Sequence, residues 1–451
     1  MRPHRTHGQA LSLLAALTAG VAVAVPAAAG ELSLSDAMAR ARRQAYEVTA
    51  AGARSEAARH DARQAAAQRL PVVRLQEVWM RTDSPAEAFA LTLNQERFSF
   101  ADFVAGDPNR PDAVESATTR LEVELPLYTG GELGARIRQA GLAADAAGEL
   151  ADRAADAAAL GAAQAWLRLA QAREQAALLE RSLATVQAHV GRAGALVDQG
   201  MLVRSERLRA EVEAARVKDL ASEARGQARV AEAALAFHLA AAEEAWEIGP
   251  LPAPPPLPRD LDGWLAFAGR RSDLEAARRG VEVRALEVRA RRAGGRPRVG
   301  LVARGDLVDD RPFGDHGDST AILAQASWDV FAGGRHRAAA AAAEAEAEAA
   351  RHELERFEHA VRLEVEAAWV GAESSRERHA TALSALDAAR ENERIVGERF
   401  GSGVVRTLDL LDATTARREA ETRELMARAE ATLAGLRLAV AAGEDPETVI
   451  P

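Results

Sequence analysis

The chain repeats itself at a fixed spacing, and this duplication limits the folds open to it more than any other feature. The segments LEVELPLYTGG and AQASWDVFAGG lie 203 residues apart. Trp166 and Trp369 are separated by the same 203 residues, and so are Gly200 and Gly403. A repeat of this kind indicates two copies of one supersecondary unit that pack against each other.

The spacing changes upstream of these anchors because the first copy holds extra residues. RLPVVRL around Pro71 resembles GRPRVGL around Pro297, at a spacing of 226 rather than 203. The first copy therefore has 23 additional residues between Pro71 and Gly130. They include SPAEAFALTLNQERFSFADF and are most simply placed in a loop between two strands.

Proline is absent from two long stretches, residues 127–249 and 313–445. Proline breaks the helical hydrogen-bond ladder, so both stretches are predicted to be long helices. Prolines instead cluster in PLPAPPPLP, at 250–258, which predicts a stiff extended linker between the halves. Each half is thus predicted to run helix, strand, loop, strand, long helix, turn and long helix.

Apolar residues in the first long stretch recur at alternating spacings of four and three, as they do in a coiled coil. A helix from Glu132 to Asp198 would extend ~100 Å at 1.5 Å per residue. Taken alone, such helices fit an elongated soluble coiled coil equally well. The residues of the seam are Ala176, Leu179, Leu183, Val186, Val190, Ala193 and Val197.

The segments before the long helices alternate between apolar and polar side chains. Leu121, Val123 and Leu125 share one face of the predicted strand, and charged residues occupy the other. Strands of about ten residues with this pattern are typical of transmembrane β-barrels whose polar face lines water. A small soluble sheet is the alternative. The strands near Val73 and Val299 are weaker, because their arginines fall on mixed faces in the sequence pattern: Arg74, Arg298 and Arg304.

Four predicted strands cannot close a barrel, since at least about eight are needed. Unpaired edges are costly in lipid, so copies of the chain are expected to share one barrel. Two copies would give eight strands and three would give twelve. The strand pattern alone does not choose between them.

The N-terminus has the features of a secretory signal peptide. Arg2 and Arg5 precede an apolar run from Ala10 to Val25, and PAAAG supplies small residues for cleavage. An uncleaved anchor is the alternative. The chain has no cysteine, which excludes disulfides and thiolate metal sites, and its net charge of -10 argues against a nucleic-acid partner.

Duplicated strand pairs that lead into long helices, behind a signal peptide, resemble the TolC family of outer-membrane efflux proteins. The resemblance covers about residues 31–443 and is most specific at LPLYTGG, WDVFAGG and FGSGVVRTLDLLDATTAR. It implies a mostly α fold with a β membrane part, made of two tandem repeats. Three chains would form a twelve-stranded outer-membrane β-barrel continued by a long periplasmic α-helical barrel.

The resemblance also implies a function and partners. The chain would be the outer-membrane channel of a tripartite efflux or type I secretion system, docked to a periplasmic adaptor and an inner-membrane pump. Drugs, metal ions and polypeptides would all use the same conduit. The 23-residue insertion would lie in an extracellular loop.

These inferences divide the chain into consecutive segments. They are a signal peptide (1–29), a first repeat (30–249; strands about 71–82 and 117–128, helical hairpin 132–242), a linker (250–259), a second repeat (260–443; strands about 297–307 and 320–331, helical hairpin 335–442) and a C-terminal tail (444–451).

Three groups of residues carry the functional expectations that the resemblance implies. Asp409 and Asp412 match aspartates that ring the periplasmic aperture; alternatively, they only complement a helix dipole. Glycine pairs would permit the strand-to-helix bends: Gly130, Gly131, Gly333 and Gly334. Residues at the two hairpin tips would contact the adaptor: Gly200, Leu202, Ser205, Gly403, Val404 and Thr407.

No catalytic motif is present, so neither a catalytic residue nor a cofactor is expected. His352, Glu355 and His359 share a helix face, but a solvated polar face is favoured over a metal site there. The main alternative function is a soluble periplasmic coiled-coil scaffold or pump adaptor.

Overall fold

The computed structural model describes residues 31–241, 246–402 and 404–449. The predicted signal peptide at 1–29 lies outside the described residues. The chain is mostly helical, as expected, and its two halves follow the same order of elements. Within the described part of the chain, no helix is both long enough and apolar enough to cross a membrane.

The first half contains one long helical hairpin and two strands of the main sheet. Its elements are β1 (Glu31–Leu32), α1 (Leu34–Gln44), α2 (Tyr46–Ala67), β2 (Val72–Thr82), α3 (Pro85–Asn94), α4 (Phe100–Ala105), β3 (Val114–Tyr128), α5 (Glu132–Asp198) and α6 (Arg204–His238).

The second half repeats this order without helices in its strand-to-strand loop. Its elements are β4 (Glu247–Ile248), α7 (Leu261–Ala268), α8 (Ser272–Ala293), β5 (Arg298–Asp309), β6 (Gly317–Ser327), α9 (Arg335–Gly401), α10 (Thr407–Ala442) and a closing 3-10 turn (Pro446–Val449).

Four strands form one antiparallel sheet in the order β2-β3-β5-β6. The 23 extra residues of the first half all lie in the connection between Thr82 and Val114, outside the paired residues. A separate two-stranded parallel sheet joins β1 to β4.

The long helices pack as coiled coils along their seams. Of the seven seam residues, Ala176, Leu179, Val186 and Ala193 are buried and the other three are half-buried. The helices of one hairpin therefore bury a continuous apolar stripe against each other, which stabilises helices far longer than a globular core requires.

The largest core lies midway along the long helices, where the short helices of both halves pack against them. Its fully buried side chains include Met38, Trp264, Leu436 and Leu438. Trp166 belongs to this core, and its indole Nε1 donates a 2.8 Å hydrogen bond to the carbonyl of Leu32. The strands and the hairpin tips lie at opposite ends, away from this core.

The proline-rich linker packs onto the long helices instead of spanning free space. Leu251 is buried, and its backbone N–H donates a 2.6 Å hydrogen bond to Glu174 on α5. Pro255 packs so closely on α10 that a Cβ at Gly435 would lie 2.7 Å from the proline ring. The linker therefore ties the two hairpins together.

Several predicted element ends differ from the structure. The strands expected to begin at about 117 and 320 begin at Val114 and Gly317, and two elements end earlier than expected. The strand expected to reach about residue 331 ends at Ser327, because its partner β5 begins at Arg298, opposite Ser327. The helix expected to reach 242 ends at His238. There the left-handed conformation of Ala240 (φ 49°) lets the N–H of Ala241 bond to the carbonyl of Ala236, which closes the helix.

Candidate functional site

The polar face of the main sheet carries a row of ion pairs across neighbouring strands. A guanidinium nitrogen of Arg74 on β2 lies 2.7 Å from Glu124 and 3.4 Å from Glu122, both on β3. Arg120 on β3 donates two hydrogen bonds, of 2.7 and 3.0 Å, to the carboxylate of Asp306 on β5. This face is therefore a charged surface whose charges largely compensate one another.

The strand register corrects the expectation that the arginines of the weaker strands lie on mixed faces. Arg74 and Arg304 stand on either side of Glu122, so all three share the polar face. Arg298 lies on that face too, six residues from Arg304 on β5. The even spacing of Arg298 and Arg304 already predicts that they share a face, but only the cross-strand register shows that this is also the face of Arg74 and Glu122.

The opposite face of the sheet is apolar and exposed in the single chain. Ile322 is 80% exposed, and Leu75 and Leu121 are at least half exposed although they pair across the sheet. An exposed apolar surface of this kind marks contact with a membrane or with another protein. Charged residues on this face include Glu77 in the middle of β2, which accepts a hydrogen bond from the hydroxyl of Thr119, and Arg81, which binds Glu115 at 3.1 Å toward the loop end.

Glycine pairs connect the sheet to the long helices. Gly130 and Gly131 have φ values of 67° and 95°, and Gly333 and Gly334 have 58° and 83°. All four are left-handed conformations that side chains with a Cβ adopt only with strain. Gly131 and Gly334 are the N-cap residues of α5 and α9, so each long helix begins one residue after the bend.

The insertion between β2 and β3 folds over the loop end of the sheet. Gln95 is buried, and its amide donates to the carbonyl of Glu115 at 2.7 Å. Arg97 reaches the β5–β6 connection, 2.9 Å from Asp309 and 2.6 Å from Asp310. The hydrogen bond from Arg97 is the main cause that lowers the pKa of Asp310 to about 2.

The same insertion forms a small aromatic cluster. Phe89, Phe98 and Phe103 have ring centroids 5.4 to 5.8 Å apart and line a cavity of about 210 Å³. Sequence reasoning placed this segment in a loop and missed α3 and α4. The signals present were Pro85 at the first helical turn of α3 and Ser99, whose hydroxyl accepts from the N–H of Asp102 to cap α4.

The two aspartates assigned to the periplasmic aperture differ in their surroundings. Asp409 is half-buried, and its carboxylate accepts a 3.1 Å hydrogen bond from the backbone N–H of Arg406, which caps α10. Asp412 is exposed, and it has no hydrogen bond or ion pair to any described residue. Asp409 thus caps the helix, while Asp412 presents a carboxylate without a partner among the described residues.

The predicted tip residues are not equally accessible. Gly200 (φ 72°) and Ser205 are exposed, Leu202 is half-buried and Val404 is exposed. Thr407, expected to contact the adaptor, is only 1% exposed, because α10 turns the first residue of its helix inward. Gly403 lies outside the described residues.

Two features near the tips were not found from the sequence. Arg418 of α10 is buried and lies 2.8 Å from Glu213 of α6, so one ion pair joins the two hairpins. Burial, with a smaller contribution from Arg192, lowers the pKa of His189 on α5. Neither Arg418 nor His189 belongs to a motif. Their surroundings depend on the packing of the helices, which the sequence pattern does not show.

Known proteins match most of this chain in sequence. The family model described as "Outer membrane efflux protein" matches residues 37–241 and 267–444. The outer membrane efflux protein BepC of Brucella suis biovar 1 (strain 1330) is 27% identical over 258 residues, a match that spans 55% of each chain. The match thus covers about half the length of that curated relative.

Solved structures share the fold over nearly the whole chain. The outer membrane protein VceC from Vibrio cholerae has a TM-score of 0.74 and 20% identity, over 91% of this chain and 96% of VceC. The open state of the outer membrane channel MtrE from Neisseria gonorrhoeae has a TM-score of 0.73 and 19% identity, over 91% of this chain and 89% of MtrE. At this identity the likeness concerns the fold.

Proposed function

Because this chain belongs to the outer membrane efflux protein family, we propose that it is the outer-membrane channel of a tripartite efflux or type I secretion system. Family membership places the protein in the outer membrane, with its long helices in the periplasm. The family consists of channels rather than enzymes, in keeping with a conduit that needs no reacting group.

One observation carries this proposal: the main sheet has two unlike faces and two unpaired edges. One face is apolar and exposed and the other is lined by ion pairs, as a barrel wall between lipid and water requires. Four strands are too few to close, so copies of the chain share the barrel. Three copies would supply twelve strands.

The helices extend the same conduit into the periplasm. α5 and α9 each contain 67 residues and each begins directly after a bend that follows a strand. A helix of this length spans ~100 Å, so three copies would form a tunnel that continues the barrel. At its far end, Asp409 and Asp412 would ring the aperture, which would favour cations over anions.

The partners of the channel are a periplasmic adaptor and an inner-membrane pump. Gly200, Leu202, Ser205 and Val404 are the accessible tip residues that would contact the adaptor. Exposed apolar side chains beside them, Met201 among them, support such a contact.

Fractionation and conductance test the proposal together. The channel should require detergent for extraction from outer membranes, should have the mass of three chains, and should conduct ions in planar bilayers. A soluble periplasmic scaffold or adaptor would instead leave the cell with the periplasmic fraction. A monomer that is soluble without detergent would refute the channel.

A further inference from the structure

The end of α8 and the turn after it are strongly basic in an otherwise acidic chain. Residues 284–298 contain six arginines and one glutamate, whereas the whole chain has a net charge of -10. Arg296 donates to the carbonyl of Gly130. Arg289 is exposed, and its side chain has no partner within the described part of the chain. The other four arginines each pair with a carboxylate: Arg284, Arg291, Arg292 and Arg298.

Arg289 stands across a cleft from a second arginine of the same kind. Arg138 of α5 is exposed and forms no hydrogen bond or ion pair to any described residue. A Cβ at Gly141 would meet nothing within 4 Å, so this glycine keeps the cleft open. The cleft has a volume of about 640 Å³, and its floor is apolar: Ile137, Gly141, Leu142, Ala285 and Leu286.

Both helices place their charges in the same order along the cleft. Arg138 and Arg289 lie ~9 Å and ~6 Å from the sheet ends of α5 and α8, at 1.5 Å per residue. Asp145 and Glu282 stand seven residues farther from the sheet and also line the cleft. Asp145 is bound by Arg279 at 3.1 Å, while Glu282 has no side-chain partner among the described residues. The cleft therefore has two cations at its sheet end and an unpaired carboxylate at the other end.

The cleft opens on the side that continues the apolar face of the sheet. Arg298, on the polar face, lies 2.7 Å from Glu132 at the start of α5, so Glu132 marks the polar side of that helix. Gly141 follows nine residues later, which is two and a half helical turns, so it stands on the opposite side. In the barrel proposed above, on which this inference rests, the cleft faces away from the pore.

The two arginines lie at the depth of lipid headgroups. Trp328, the residue after β6, is 58% exposed, and its indole Nε1 donates a 3.0 Å hydrogen bond to the carbonyl of Gly295, just past the end of α8. Exposed tryptophan of this kind is typical of the membrane–water interface. Headgroups extend roughly 5–8 Å beyond the hydrocarbon core, which is about the distance from the end of α8 to Arg289. Phospholipids of the periplasmic leaflet can therefore reach the cleft.

We propose that this cleft binds the headgroup of a phospholipid with a primary amine, such as phosphatidylethanolamine, from the periplasmic leaflet. Arg138 and Arg289 donate to its phosphate, as guanidinium groups do in phosphate sites. Glu282 accepts from the ammonium group, and the short ethylene link between phosphate and amine crosses the apolar floor. The order of charges along the cleft is thus complementary to that of the headgroup. Phosphatidylcholine has the same phosphate but no N–H to donate to Glu282.

Native mass spectrometry of the detergent-extracted channel tests the site by counting retained lipids. With equal amounts of three lipids added, phosphatidylethanolamine should be retained about fivefold more than phosphatidylcholine or phosphatidylglycerol. Arg138→Gln with Arg289→Gln should lower its retention about fivefold, and Glu282→Gln should remove the preference over phosphatidylcholine. Equal retention of the three lipids, or a preference that survives Glu282→Gln, would overturn the site.

Gly141→Leu tests the site without changing its charge. Leucine favours a helix over glycine, and its side chain would fill the open floor, so retention should fall as in the double arginine variant. Gly191→Leu is the matched control, because Gly191 is also on α5 and a Cβ there would likewise meet nothing within 4 Å. Arg168→Gln is the control for charge, at another exposed arginine of α5. An equal loss of retention in either control contradicts the proposal.

The mass and conductance of the same particles separate this inference from the channel. Three-chain particles that conduct ions but retain no phosphatidylethanolamine overturn the lipid site alone. Cleft variants that lose the three-chain mass while they still retain the lipid would make the cleft an interface between copies, and the lipid site would again be overturned. Soluble monomers of the unsubstituted protein would overturn the proposed function and the lipid site together.

Discussion

Replacement of Asp412 by asparagine tests the aperture most directly. Its carboxylate is exposed and has no hydrogen bond or ion pair among the described residues, so its charge is free to act on a passing ion. The carboxylate of Asp409 is already engaged with the backbone N–H of Arg406. The two residues should therefore contribute unequally to ion selectivity, with Asp412 the stronger.

The size of the effect follows from Coulomb's law. Three copies would bring three Asp412 carboxylates around one axis, and a cation about 8 Å from each gains roughly 0.5 kcal/mol per carboxylate in water. The sum is about 1.5 kcal/mol, which salt at ~0.1 M reduces by roughly half. An anion at the same place is disfavoured by the same amount, so loss of these charges should lower the preference for cations over anions by roughly tenfold.

Reversal potentials of the purified channel in planar bilayers, under a KCl gradient, measure this preference. Asp412→Asn should lower the ratio of cation to anion permeability roughly tenfold, and Asp409→Asn should lower it less. Asp387→Asn is the matched control, because Asp387 is also exposed on a long helix but lies ~21 Å from the end of α9 at Gly401. An unchanged ratio in Asp412→Asn, or an equal change in the control, would refute the aperture.

Three further predictions concern stability and gating. Arg271→Met should destabilise the protein by about 1–3 kcal/mol, because the buried guanidinium bonds Asp273, Glu364 and the carbonyl of Ala441. Arg259→Met at a partly exposed pair should cost about 1 kcal/mol or less, and thermal unfolding followed by circular dichroism compares the two variants. Because burial lowers the pKa of His189, the folded state favours its neutral form. Stability should therefore fall as pH drops below 6.5, and His189→Gln should show a smaller loss in the same melts. Arg418→Met together with Glu213→Gln removes one ion pair between the two hairpins near their tips, and we expect it to raise the open fraction in single-channel recordings. An unchanged open fraction would contradict a role of this pair in holding the hairpins together.

The repeat made the element order readable from the sequence. Both copies of a repeated motif are expected to adopt the same local structure. The weak strand pattern near Val299 therefore gains support from its counterpart near Val73. The alternation from Leu121 to Leu125 falls within β3, and the change of period at the glycines coincides with the start of α5. Local patterns suffice for such features because neighbouring residues determine them.

Other features depend on residues far apart in the chain. Arg74 shares a face with Glu122 and Arg304 only because of the cross-strand register, and a shift of one residue would reverse that face. Thr407 is buried by helix packing, although its position next to a turn suggests exposure. The linker can pack closely on α10 because Gly435 has no side chain. No pattern in the linker sequence predicts this contact.

The long insertion between Thr82 and Val114 has a consequence for how the outer surface can change. Thirty-one residues separate these strand ends, while eight separate the equivalent residues Val308 and Gly317, yet both hairpins share one register. Length in this segment is thus uncoupled from the geometry of the wall. In the proposed barrel, we expect the part of this segment away from Gln95 and Arg97 to tolerate trimming or replacement by a foreign epitope while the pore keeps its diameter.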